Sequence, residues 1–207
     1  MTTSGHLSGH LFRWRSLALA LSIAMAGCAS DQDKGAAISA VNQAFQADYE
    51  TMLADKGVRT YKVRRADAFV ALHATFAKFG MRIADQDPDI GTLTADAAAP
   101  RPLNAQEWQQ AAAVDLPRMR EIARPHVGVL AEMIRFEPEG LEIVIHAAVL
   151  DVDGGCEVSL TTRMRETAPP RTNMPRREYP PPTGVRLALD KIWRQFEQEL
   201  RAARKIP

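Results

Sequence analysis

The 207-residue chain has only two cysteines, Cys28 and Cys156, so at most one disulfide can form within it. Neither sign of charge is in excess, since 26 Lys and Arg stand against 25 Asp and Glu. Nucleic acid demands a concentrated basic face, so no nucleic-acid partner is expected. The five histidines, His6, His10, His73, His126 and His146, do not fall into a metal-ligand arrangement, which argues against a zinc site. The chain contains no glycine-rich phosphate loop, no G-x-S-x-G elbow and no H-E-x-x-H. No catalytic residue, metal or diffusible cofactor is therefore expected, and the protein reads as a non-enzyme. No repeat recurs at a fixed period. The apolar run Ser16 to Ala26 covers about eleven residues, whereas a helix crossing the hydrocarbon core needs about 20.

That short run has a basic pair before it, Arg13 and Arg15, and small residues after it. This is the profile of a signal peptide, expected over residues 1–27. Ala26-Gly27-Cys28 resembles the lipobox of bacterial lipoproteins, with Met25 where Leu or Val is commoner. The resemblance implies cleavage before Cys28, a diacylglycerol on its sulfur and an N-acyl chain on the new amino terminus. Several buried acyl chains at about 0.8 kcal/mol per CH₂ hold a protein to a bilayer almost irreversibly. Ala29 follows where an Asp would signal inner-membrane retention under the lipoprotein sorting rule, so the implied place is the periplasmic face of the outer membrane. The alternative is an ordinary secretory signal, with Cys28 bonded to Cys156 in an oxidising compartment.

Removing residues 1–27 leaves 24 basic and 25 acidic side chains, and the 46% hydrophobic content of the full sequence argues against disorder. Residues 28–35 read as a lipidated polar tether, and residues 36–207 as one α+β domain. Ile38, Val41, Phe45, Tyr49 and Met52 recur at helical steps, which predicts a helix over Ala36 to Leu53. Val58 to Arg64 alternates as a strand does. Phe69, Leu72, Phe76 and Phe79 then place three rings and a leucine on one helix face, with Gly80 as its stop. Two strands follow, Met81 to Asp85 and Ile90 to Asp96, around a turn at Pro88.

The segments "YKV", "FVALHATFAKFGMRI" and "DPDIGTLTAD" resemble the repeating unit of lipoproteins related to the C subunit of the outer-membrane β-barrel assembly machinery. The resemblance spans roughly Val58 to Asp96 and is a packing pattern. It implies a helix-grip-like antiparallel sheet with a long C-terminal helix packed across it. It also implies an accessory or scaffold role in cell-envelope assembly, with an envelope protein as partner.

Residues 97–129 depart from a compact version of that pattern and read as a helical insertion. Asn104 and Glu107 form a capping-box pair, a helix should run to Val114, and Pro117 should break it, with Asp115 capping a second helix over Arg118 to Arg124. Trp108 on this insertion is either core or a contact residue for a partner. Ala131 to Phe136 is read as a strand. Leu141 to Val152 and Cys156 to Glu166 form a hairpin around Asp153-Gly154-Gly155.

On the first of these strands Leu141, Ile143, Ile145, Ala147 and Val149 share one face, and Glu142, Val144, His146, Ala148 and Leu150 lie on the other. The inserted helices are expected to cover that second face; otherwise it is a contact surface, with Val144 and His146 as candidates. Six prolines and Arg171, Arg176 and Arg177 fill Ala168 to Thr183. This strap connects the sheet to the last helix and is a candidate docking segment through those arginines and Tyr179. Val185, Leu189, Ile192, Trp193, Phe196 and Leu200 form the last helix's apolar stripe. A lipid or small hydrophobic ligand held between that helix and the sheet is the alternative function. A Cys156–His146 nucleophile pair is the remote enzymatic one.

Overall fold

The computed structural model describes residues 29–169 and 174–207. The signal segment, Cys28 and Arg171 lie outside the described residues. The first helix, α1, runs from Asp31 to Lys56. Ser30 is its N-cap: the Ser30 hydroxyl accepts from the Asp33 amide at 3.1 Å, and Asp33 Oδ2 accepts from the Ser30 amide at 2.9 Å. These bonds to Ser30 hold the Asp33 carboxyl below its ordinary pKa. Ser30 to Gly35 is therefore the cap and first turn of a helix. The polar tether expected over residues 28–35 is corrected from Ser30 onward, because the reciprocal Ser30–Asp33 bonds cap a helix start.

After α1 come β1 (Val58–Tyr61), α2 (Arg65–Lys78), β2 (Arg82–Asp87), β3 (Thr92–Ala98) and α3 (Ala105–Val127). A 3₁₀ segment (Gly128–Met133), β4 (Leu141–Val152), β5 (Gly155–Glu166) and α4 (Pro182–Ala202) complete the chain. The five strands form one antiparallel sheet in the order β1-β5-β4-β3-β2, and α4 packs across it. The fold is α+β in the helix-grip manner read from the sequence. All six residues of the α4 stripe are buried, as are Phe69, Leu72 and Phe76 of α2. Gly80 takes φ +64° after α2, the left-handed geometry that releases the chain into β2. Gly91, at φ +84° beside the Val149 carbonyl, has no room for a Cβ.

Four local expectations change. Helix α3 passes through Pro117 without a break. Proline in a helix interior costs about 3 kcal/mol, but Trp108 and Ala111 before it and Met119 and Ala123 after it are all buried, so packing on both sides offsets that cost. Asp115 does not cap a second helix. Its carboxylate accepts from the amide of Thr183 at 2.8 Å and from the Thr183 hydroxyl at 2.7 Å, at the start of α4, which has no side-chain cap at Pro181. Asp115→Ala is expected to cost about 1 to 2 kcal/mol, the value of a lost helix cap; an unchanged urea midpoint would contradict this assignment.

The strand expected over Ala131 to Phe136 is instead the 3₁₀ segment and a short extended stretch. Ala131 packs with Ala37 and Ala123 in a small-residue cluster. The Phe136 carbonyl accepts from Trp108 Nε1 at 3.0 Å, so it is not free for a ladder. Finally, β1 ends at Tyr61 because it pairs only with Cys156 to Ser159 of β5.

Candidate functional site

The helices gather on the face of β4 that carries Leu141, Ile143, Ile145, Ala147 and Val149, all buried. Helix α3 lies on that same side, since Trp108 borders Ile143, Thr162 and Val185. The inserted helix therefore does not cover the second face of β4, contrary to the sequence expectation. β3 and β4 are directly paired neighbours, and α3 leaves and returns on the α4 side. Trp108 itself is 5% exposed, stacks near Phe136 at 5.3 Å between centroids, and is a core residue unavailable to a partner.

Antiparallel register arranges the uncovered face in rows. Arg82, Asp96, Val144 and Arg163 form one; Thr94, His146 and Thr161 the next; Ala148, Ser159 and Val58 the third; Leu150, Glu157 and Thr60 the fourth. Arg82 and Asp96 are ion-paired at 2.5 Å, and Glu142 is paired with Arg165 at the far end. His146 is exposed, with Nδ1 at 3.0 Å from Thr94 Oγ1, while Val144 is half-buried between charged neighbours. Toward the β4–β5 turn the character changes. Leu150 is 52% exposed, Val58 45% and Val152 39%, with half-buried Ala148 among them. The sequence points to Val144 and His146; the more apolar end of the face, at Leu150 and Val152, is four to six residues beyond His146 along β4.

The strap is occupied within the chain. Asn42 on α1 clamps it: Asn42 Nδ2 donates to the Arg176 carbonyl at 2.7 Å, and Asn42 Oδ1 accepts from the Glu178 amide at 3.2 Å. Arg177 pairs with Glu166 at 2.5 Å. Tyr179 is buried against Tyr49, and its hydroxyl accepts from Arg163 at 3.1 Å. The outer edge of β5 beyond β1 is closed in the same way, because the amides of Leu160, Thr162 and Met164 donate to the Gly57 carbonyl, the Tyr49 hydroxyl and the Glu178 carbonyl. Edge strands with free ladder groups invite pairing with other chains, and here α1 and the strap occupy those groups. Tyr179 and Arg177 are thus internal contacts and not docking residues; Arg176 is half-buried at the surface.

The chemistry expected to be remote is separated by the register. Cys156 stands opposite Asp151, five positions along β4 from His146, and faces the core while His146 faces out. Burial pushes the Cys156 thiol up, away from the thiolate that a nucleophile needs. Cys156 is a free thiol with none of its surface exposed. Among the described residues no group of three His, Cys, Asp or Glu is placed to hold a metal ion. Asp151 pairs with Arg65 at 3.3 Å. No described helix is long and apolar enough to cross a membrane.

The space between α4 and the sheet is filled. Trp193, Phe196 and Leu200 are fully buried there, and beside Ile143, Val185 and Ala188 only about 20 Å³ remains, next to an unpartnered Thr162 hydroxyl. A void of that size holds about one water. That is the space found there for the alternative ligand between α4 and the sheet. No protein-family model, no curated protein and no solved structure matches the chain.

Proposed function

We propose that the protein is a non-enzymatic lipoprotein, anchored through acyl chains on Cys28 at the periplasmic face of the outer membrane. It acts there as a scaffold or accessory in envelope assembly. The observation that carries the contact role is the uncovered sheet face ending in Leu150, Val58 and Val152. Exposed apolar side chains that share one rigid face, rimmed by ion pairs, suit a protein partner. The lipid anchor rests on the leader Ser16 to Ala26 and the position of Cys28 directly after it.

Helix α1 gives the anchor a mechanical consequence. Its first residue, Asp31, stands three positions after Cys28, so the lipid would be joined almost directly to a helix about 39 Å long at 1.5 Å per residue. The domain would be held close to the bilayer, with limited freedom to turn. Leu150→Glu is expected to leave the melting temperature unchanged, since the side chain faces solvent, and to reduce co-purification of the envelope partner at least tenfold. Undiminished capture by the variant would move the contact elsewhere on the molecule.

A further inference from the structure

A second cavity lies away from the filled grip, between α1, α3 and the strap, with a volume of about 130 Å³. Its wall is made of Ile38, Val41 and Phe45 from α1, Met119 from α3, and Phe136 and Tyr179, with Arg135 and Arg177 as its charged members and no carboxylate. The α1 residues belong to the stripe that the sequence shows at helical spacing, yet Ile38 and Val41 are only half-buried, so the stripe is incompletely covered at this end. An engineered apolar cavity of about 150 Å³ stays dry and takes up benzene. The present cavity has the size and lining for a segment of alkyl chain of similar bulk.

The opening supplies a preference of charge. The cavity borders a wider groove of about 310 Å³ that shares Ile38 and Arg177 with it and adds Arg176, Met174, Glu166 and Glu139. Glu166 is paired with Arg177, whereas Arg135, Arg176 and Glu139 make no ion pair among the described residues, which leaves two free cations against one free carboxylate. Arg135 is exposed beside the apolar interior, where a guanidinium can take a carboxylate in two parallel hydrogen bonds. We infer that this cavity binds a single-chain anionic amphiphile of the fatty-acid class, one segment of its chain against Val41 and Phe45, the rest along the adjoining groove past Ile38, and its carboxylate at Arg135. The inference does not rest on the lipid anchor, because the cavity is built from residues of the folded domain alone.

Calorimetric titration of the full chain carrying Cys28→Ser with dodecanoate, kept below micelle formation, tests it without any attached lipid. Saturable one-to-one binding is expected, weakened at least tenfold by Arg135→Glu and abolished by Val41→Trp, which fills the cavity from a half-buried position. Dodecyltrimethylammonium, with the same chain and opposite charge, should bind at least tenfold more weakly than dodecanoate. A melting temperature near that of the parent shows that Val41→Trp is folded, and Ala37→Leu provides a second filling variant if it is not. Absence of dodecanoate binding, binding untouched by a folded filling variant, or equal affinity for the cationic amphiphile would each overturn the assignment.

Discussion

Trp193→Ala is expected to destabilise the domain by about 3 to 5 kcal/mol, the range for truncating a buried aromatic side chain. Trp193 has none of its surface exposed and sits where α4, α1 and β1 meet. Its ring lies 6.0 Å from Phe196 and 6.3 Å from Tyr61 between centroids, and the Arg59 guanidinium stands 4.9 Å above it. The indole Nε1 also donates to the Lys56 carbonyl at 2.8 Å, in the last turn of α1, where helix carbonyls lack partners of their own. Alanine removes the packing, leaves a cavity and strands that carbonyl. Trp193→Phe separates the contributions: it keeps much of the volume and loses the hydrogen bond, for an expected cost nearer 1 to 2 kcal/mol. A chemical denaturation midpoint unchanged by Trp193→Ala would show that α4 is not docked across the sheet.

Cys28→Ser is expected to abolish incorporation of labelled palmitate and to leave the leader uncleaved. Serine retains nearly the same size but has no sulfur for thioether attachment, and the cleavage that exposes residue 28 follows that attachment in the lipoproteins its leader resembles. The loss of label should be complete, because residue 28 would be the attachment point for the diacylglycerol and, once exposed by cleavage, for the N-acyl chain. Equal labelling of the variant and the parent would remove the lipoprotein assignment.

These two residues also show what the sequence makes legible. Trp193 is readable as core because Val185, Leu189, Ile192, Phe196 and Leu200 recur with it at helical spacing, and local period is what a sequence displays directly. The β4–β5 hairpin is readable for the same reason: alternation along both strands and Gly154 at the turn. Pairings distant in sequence are not readable. Asp115 looks like a local helix cap and instead caps α4, 68 residues later. Asn42 looks like one more polar position on α1 and in fact clamps the strap 134 residues away.

The sequence does not show the candidate site where a side chain's availability depends on tertiary packing. Tyr179 and Arg177, in a proline-rich segment, have the composition of a docking strap, but Tyr49 and Glu166 claim them first. Trp108 is withdrawn into the core by the Phe136 carbonyl. Conversely, the α3 side of the sheet could not be read from residues 97–129, because an amphipathic helix packs equally well on either face of a strand that is apolar on both. Exposure at Leu150, Val58 and Val152 follows from that choice of side.

The most direct test of the scaffold reading is photo-crosslinking in intact cells from single sites on the two sides of the molecule. A photoreactive residue at position 146 or 150 occupies the open sheet face, and one at position 50 occupies the exposed surface of α1. A recurrent adduct to one envelope protein from 146 and 150, absent from 50, is the predicted result. No protein adduct from the sheet face, or adducts of equal yield from all three positions, would contradict a contact role for that face.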